Sequence, residues 1–335
     1  MRQKKRITIQ DIATKANVSK STVSRVLNDT TPVAPDKETA VLAAMAELNY
    51  QPNIFARGLA GGQSLTIGAL TQNIGSAFYD AIMSGIISGL KGSSYSPIFA
   101  DGRWHAEEEQ KSLQTLLERR VDGIIIVGGT LTGAELVKLN EQVPVVIAAR
   151  EIPELQERCL YADNFQAAYD VTRYLIEAGH RRIAHIKGMA THQDTNRRFD
   201  GYVQAHNDAD VEINQNLVVE GNFRRQSGLL AVETLLTRGQ PFTAIFSAND
   251  QMASGARLAL FRHGIRVPED ISLVGFDNQP DSAYMTPPLT TVRQPAAELG
   301  EAAANYMLHL IKKKPFTPPT FSTKLVMRES VARFR

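Results

Sequence analysis

Thr8-Ile9-Gln10-Asp11-Ile12-Ala13-Thr14-Lys15-Ala16-Asn17-Val18-Ser19-Lys20-Ser21-Thr22-Val23-Ser24-Arg25-Val26-Leu27-Asn28 is the stretch on which the fold turns. Ile9, Ile12, Ala13 and Ala16 recur at helical spacing and predict a first short helix. Asn17 ends it, because Asn tolerates the left-handed backbone of a helix terminus. Ser19 can cap a second helix, Lys20 to Leu27, with Val23, Val26 and Leu27 facing inward. A third helix is expected from about Pro35 to Leu48, with Val41, Leu42, Met45 and Leu48 as its apolar stripe. The chain therefore opens with a small all-α unit.

Working outward, residues 51–64 read as a linker: Gln51-Pro52-Asn53, a short helix over Ile54–Ala60, then Gly61-Gly62-Gln63-Ser64. From Leu65 the pattern changes. Strand-like runs at Thr66–Leu70, Ser96–Ala100, Gly123–Val127, Val145–Ala148, Arg182–Ile186, Leu217–Glu220, Ala244–Ser247 and Ser272–Phe276 alternate with amphipathic helices such as Glu107–Arg119, Phe165–Ala178 and Asp250–His263. Such alternation implies parallel sheets with right-handed crossovers. About ten strands are many for one open sheet, so two α/β subdomains are expected. Tyr161–Asn164 and Leu289–Val292 are the expected crossovers between them.

The 335 residues, 43% hydrophobic and 21% charged, can bury a sizeable core. Net charge is +2 but uneven: residues 1–60 hold nine Lys/Arg against five acids, leaving +4 there and −2 in the rest. A basic head on a slightly acidic body suits nucleic acid at one end only. One cysteine, Cys159, excludes an internal disulfide and a Cys-built zinc site. Neither a signal peptide nor an apolar run of about 18 residues is present, so the chain reads as soluble and cytoplasmic, with no membrane partner. No Gly-x-Ser-x-Gly elbow, phosphate-binding Gly-x-x-x-x-Gly-Lys loop or His-Glu-x-x-His pair exists, and no enzyme activity or cofactor is expected. His180 and His185 read as structural, and Glu107-Glu108-Glu109 as solvated charge opening a helix.

Ile9-Gln10-Asp11-Ile12-Ala13, Ala16-Asn17-Val18-Ser19 and Thr22-Val23-Ser24-Arg25-Val26-Leu27-Asn28 resemble the helix-turn-helix of the lactose/galactose repressor (LacI/GalR) family. Ala43-Ala44-Met45-Ala46-Glu47-Leu48-Asn49-Tyr50 with Pro52-Asn53, then Ala248-Asn249-Asp250-Gln251-Met252-Ala253, Asp270-Ile271-Ser272-Leu273-Val274-Gly275-Phe276-Asp277 and Pro287-Pro288-Leu289-Thr290-Thr291 carry the likeness along essentially the whole chain. It implies a small all-α helix-turn-helix head plus an α/β, periplasmic-binding-protein-like body of two doubly wound subdomains. The implied boundaries are 1–50 for the head, 51–64 for the hinge helix and linker, and 65–335 for the ligand-binding and dimerisation domain. Within that domain, subdomain N takes about 65–161 and 293–322, and subdomain C about 162–292 and 323–335.

The resemblance also assigns residues. Lys20, Ser21 and Arg25, at the start of a helix laid in the major groove, become the base readers. Ser19, Thr22 and Asn28 become phosphate-positioning groups. Leu59 becomes a wedge into the minor groove, on a hinge that Gly58, Gly61 and Gly62 leave disordered without DNA. The implied assembly is a homodimer on double-stranded operator DNA, because the chain lacks the leucine-rich tail helix that makes one member of the family a tetramer. A small-molecule effector, a sugar or glycoside, is expected in the cleft between subdomains, near Phe78, Tyr79, Asp101, Tyr161, Arg198, Phe223, Asn249 and Asp277. Arg198 and Asp277 would clamp hydroxyls, and Phe223 or Tyr161 would stack on a ring. Ala149 stands where many relatives carry an acid, which would let Arg150 line the cleft and favour an acidic or phosphorylated ligand. The expected function is a repressor of a sugar-utilisation operon released by its inducer. The alternatives are a corepressor-dependent regulator sensing a purine or phosphorylated metabolite, and the sugar-binding protein of a transporter.

Overall fold

A computed structural model describes residues 7–28, 31–50 and 63–334. They fall into two compact units, Met1–Leu65 and Thr66–Arg335. The linker expected over 51–64, including Gly58 and Leu59, lies outside the described residues but for its last two positions.

In the first unit, α1 (Ile9–Lys15), α2 (Lys20–Asn28) and α3 (Pro35–Glu47) surround a core of Ile12, Ala13, Val23, Val41 and Ala44. Thr8 and Asp11 cap α1 reciprocally: the Asp11 N–H donates to Thr8 Oγ1, and the Thr8 N–H to Asp11 Oδ2 at 2.8 Å. Asn17 has φ 53° and turns the chain into α2. Leu42 departs from the expected stripe and is exposed. The buried line of α3 follows Val41, Ala44, Met45 and Leu48, spaced three, four and seven apart, and Leu42 lies a quarter-turn outside it.

The second unit contains two parallel sheets. β1 (Thr66–Thr71), β2 (Ser96–Asp101), β3 (Gly123–Val127), β4 (Val145–Ala148) and β5 (Cys159–Leu160) take the order β2-β1-β3-β4-β5. β6 (Ile183–Lys187), β7 (Val218–Glu220), β8 (Ala244–Ser247) and β9 (Ser272–Val274) take the order β7-β6-β8-β9. Both orders reverse beside the first strand, and such switch points open a crevice at the carboxyl ends of the strands. β3, β4 and β8 are buried throughout, as sheets covered by helices on both faces require.

The chain passes from the first lobe to the second after β5. It returns through β10 (Thr291–Arg293) and leaves again through β11 (Lys324–Val326), which pairs antiparallel with β10. Between these passes, helix Ala296–Ile311 packs into the core of the first lobe through Leu299, Ala303 and Met307. It meets helix Ala77–Leu90 backbone to backbone. A Cβ at Gly300 would lie 2.0 Å from the Ile82 carbonyl oxygen, and one at Gly85 2.0 Å from that of Ala297. Only hydrogen fits at these two crossings, which is the physical reason for the small residues there.

Candidate functional site

On the first unit, Lys20, Ser21 and Arg25 stand exposed on one side of α2, opposite Val23 and Leu27, which pack inward. Ser19 is exposed at the head of the helix. Its Oγ accepts from the Thr22 N–H at 3.1 Å and lies 2.7 Å from Ser21 Oγ. The hydroxyl expected to position phosphate thus also caps the helix. Thr22 is half-buried, with Oγ1 2.8 Å from Ser19 Oγ. Asn28 closes the helix. Two basic side chains, Lys20 in the first turn and Arg25 in the last, project from one side of a capped second helix and form a surface fit for a DNA groove.

On the second unit, loops at the carboxyl ends of both sheets enclose a cleft of about 740 Å³. Seven of the eight expected ligand residues line it: Phe78, Tyr79, Asp101, Arg198, Phe223, Asn249 and Asp277. Arg198, 3% exposed, rises from the first turns of helix Gln193–Asp208. Its Nε donates to Asn164 Oδ1 at 2.8 Å, another nitrogen donates to the Ala248 carbonyl, and the guanidinium stacks on Phe276 at 3.8 Å. Its third nitrogen lies 3.9 Å from Asp277 Oδ1. Asp277 sits at φ 105°, with Asn278 at 50°, conformations that non-glycine residues adopt where a site demands them. Gln294 Nε2 donates to Asp277 Oδ1 at 2.7 Å. Burial pushes the Asp277 carboxyl up to about 6, against the pull of Arg198 and Gln294. Asp250, buried beside it, is pushed up to about 8 by burial and then by the charge of Asp277.

Two expected residues act chiefly on the scaffold. Asn249 caps helix Asp250–Arg262, Oδ1 accepting from the Met252 N–H at 2.9 Å, and its Nδ2 donates to the Phe223 carbonyl at 3.0 Å. Asp101 accepts from the N–H groups of Arg103 at 3.0 Å and Ile74 at 3.3 Å, so it shapes two cleft loops. Phe78 and Tyr79, in the first turn of helix Ala77–Leu90, pack edge to face with centroids 5.3 Å apart.

Tyr161 does not line the cleft. It follows β5, the edge strand farthest from the switch point, and its hydroxyl donates to Glu151 Oε1 at 2.9 Å. There it borders a separate cavity of about 140 Å³. Arg150 borders that cavity too and donates to the Leu131 carbonyl at 2.8 Å, so it lends no cationic wall to the cleft. Glu109 also departs from expectation. It is fully buried rather than solvated, accepting from Thr130 Oγ1 at 2.6 Å, the Thr130 N–H at 2.8 Å and Gln72 Nε2 at 3.1 Å.

Gln72, Trp104, His192 and Asp194 line the cleft unforeseen. Asp194 could have been found: it precedes Arg198 by four residues and shares its helix face. Gln72 directly follows β1, at the switch point. Trp104 and His192 come from opposite lobes, with ring centroids 3.5 Å apart and planes at 22°. His192 stacks in turn on Phe223 at 5.2 Å, and Trp104 meets the edge of Tyr79 at 6.1 Å. His192 is 5% exposed, and its Nε2 has no hydrogen-bond partner among the described residues. Burial, then the charge of Arg198, pushes this imidazole down to about 4, so it is neutral at pH 7.

Fixed carboxylates, amides and a guanidinium beside aromatic faces can hold a small polar ring by hydrogen bonds and stacking. His180 and His185 serve the framework, His185 Nδ1 lying 2.9 Å from the Phe246 carbonyl. Among the described residues no group of three His, Cys, Asp or Glu could hold a metal ion, and no helix is long and apolar enough to cross a membrane.

Comparison with known proteins identifies the family. Residues 8–53 match the model of bacterial regulatory proteins of the lacI family, and residues 172–331 that of a periplasmic binding protein-like domain. The ribose operon repressor of Haemophilus influenzae is 33% identical over 97% of this chain and 98% of its own. The HTH-type transcriptional repressor PurR of Klebsiella pneumoniae is 36% identical over 97% of each chain. The crystal structure of the lac repressor dimer bound to operator and the anti-inducer ONPF matches with a TM-score of 0.88 at 30% identity, over 98% of this chain and 100% of that one. LacI-family repressors bind operator DNA and small-molecule effectors and act as dimers. The chain belongs to the lacI family of bacterial regulatory proteins: it is a DNA-binding transcriptional repressor, not an enzyme.

Proposed function

We propose that the chain is a homodimeric repressor released from its operator by a small sugar or glycoside. The observation that carries this reading is the make-up of the cleft. Asp194, Asp277 and Arg198 supply acceptors and donors, and Phe223 and Tyr79 supply ring faces. Hydroxyls alternating with apolar C–H faces are what this pairing recognises. Two carboxylates against one guanidinium disfavour a ligand anion at that point.

In this reading residues 1–50 form the head, 51–64 the linker and hinge helix, and 65–335 the ligand-binding and dimerisation body. Lys20, Ser21 and Arg25 read bases, Ser19, Thr22 and Asn28 hold phosphates, and Leu59 wedges the minor groove. Half-sites lie about one helical turn apart. Effector and operator oppose each other by about 1–3 kcal/mol, equally in both directions.

The 36% identity to a repressor named PurR favours one second reading, in which a purine acts as corepressor. Fluorescence anisotropy of the full-length protein on its upstream promoter DNA, at two salt concentrations with sugars and purines added, separates the two. Salt-sensitive binding released by a sugar establishes the inducible repressor. Binding that requires a purine establishes the corepressor form and discards the sugar reading.

A further inference from the structure

We propose that Trp104 and His192 form a clasp across the mouth of the cleft whose place is taken by a second ring of the effector, so that the two side chains select two-ring glycosides over single sugars. The inference rests on the sugar reading above. The two rings belong to different lobes and meet face to face at 3.5 Å, too close for anything to lie between them. Each is held from behind. The Trp104 backbone N–H donates to Gln72 Oε1 at 3.3 Å, Gln72 donates to Glu109 at 3.1 Å, and Glu109 accepts twice from Thr130. Arg103 and Trp104 both adopt left-handed backbone, at φ 53° and 58°, which Asp101 supports through the Arg103 N–H. His192 is backed by Phe223, whose ring tip would lie 2.0 Å from a Cβ at Gly188, so a side chain there would push the ring out of place.

Below the clasp, Arg198 and Asp277 fix one ring. The cleft is larger than that ring needs. Its volume of about 740 Å³ leaves room for more than one sugar ring. A second ring entering between Trp104 and His192 as the lobes part restores a stacking contact to each aromatic face. A hydroxyl borne at the edge of that ring also reaches His192 Nε2, a buried polar atom with no hydrogen-bond partner among the described residues. A single sugar on Arg198 and Asp277 offers neither contact.

Trp104 is the sole tryptophan of the chain, so tryptophan emission, excited selectively over the nine tyrosines, reports on the clasp alone. The test titrates the full-length protein with glucose, galactose and ribose, then with cellobiose, lactose and phenyl β-glucoside, following emission and calorimetry together. A two-ring glycoside is expected to bind more tightly than its single sugar and to change the emission. Trp104→Ala and His192→Ala are each expected to weaken two-ring binding about three- to tenfold, the size of one aromatic stacking contact. Single-sugar binding should stay within about twofold, and Trp104→Phe should restore most of the loss. Unchanged operator affinity of the unliganded variants shows that they fold. Equal loss for one- and two-ring sugars, or two-ring binding without an emission change, overturns the clasp alone. No sugar bound by the wild-type protein overturns the sugar reading and the clasp with it.

Discussion

Asp277 ties the charge of the cleft to its pH response. Its carboxyl is raised to about 6 by burial, although Arg198 favours the ionised form. As an acceptor of ligand hydroxyls it must be ionised, so affinity is full above pH 6 and falls as pH drops through 6. The slope approaches about tenfold per unit. Calorimetry of the effector between about pH 5 and 8 should show this loss on the acid side, and Asp277→Asn should remove both the binding and its pH dependence. A flat profile would take Asp277 out of the contact. Asp277 was legible in the sequence because it closes the Asp270–Asp277 motif, and Arg198 only through the family resemblance. Trp104 and His192 were not, because their meeting depends on how two loops from different lobes approach. Tyr161 was misplaced because its neighbourhood in sequence says nothing of its distance from the switch point.

The elements show the same division between local and distant information. Helix α2 was readable from Ser19 and from the spacing of Val23, Val26 and Leu27, all within one segment. Its outward face carries a test. Arg25→Ala should weaken operator binding by about 1–3 kcal/mol and flatten the preference for the operator over random DNA. Glu47→Ala, which breaks the exposed Lys15–Glu47 pair between α1 and α3, should change head stability by less than about 1 kcal/mol. Equal affinity losses on operator and random DNA for Arg25→Ala would reassign it to phosphate contact. Helix Ala296–Ile311 was less legible, since its partner, helix Ala77–Leu90, lies some 200 residues away. Gly300→Ala would set a methyl 2.0 Å from the Ile82 carbonyl oxygen and should cost about 1–3 kcal/mol by chemical denaturation. A neutral result would mean that the two helices part without strain.

At the scale of the molecule, the body leaves an apolar face that its own fold does not cover. Leu258 and Phe261 project from helix Asp250–Arg262, Phe261 being 68% exposed, and Leu230 from the adjoining helix Arg225–Thr237 is 55% exposed. Buried glycines bring these two helices together: a Cβ at Gly228 would lie 2.0 Å from the Met252 carbonyl, and one at Gly255 1.8 Å from that of Arg225. The two helices are therefore held rigidly together, and large exposed apolar side chains on such a pair point to an interface. LacI-family repressors act as dimers, and a second copy on this face would bury it. Dimerisation matters to function because two linked heads meet two half-sites, the second at high effective concentration. Phe261→Glu should therefore shift sedimentation toward monomer at micromolar concentration and weaken operator binding by about 10²-fold or more. Effector binding to the isolated cleft should be unaffected, since no cleft residue lies on that face. A dimer that persists in Phe261→Glu would move the interface to another face. Loss of effector binding together with the dimer would show instead that the second copy supports the cleft.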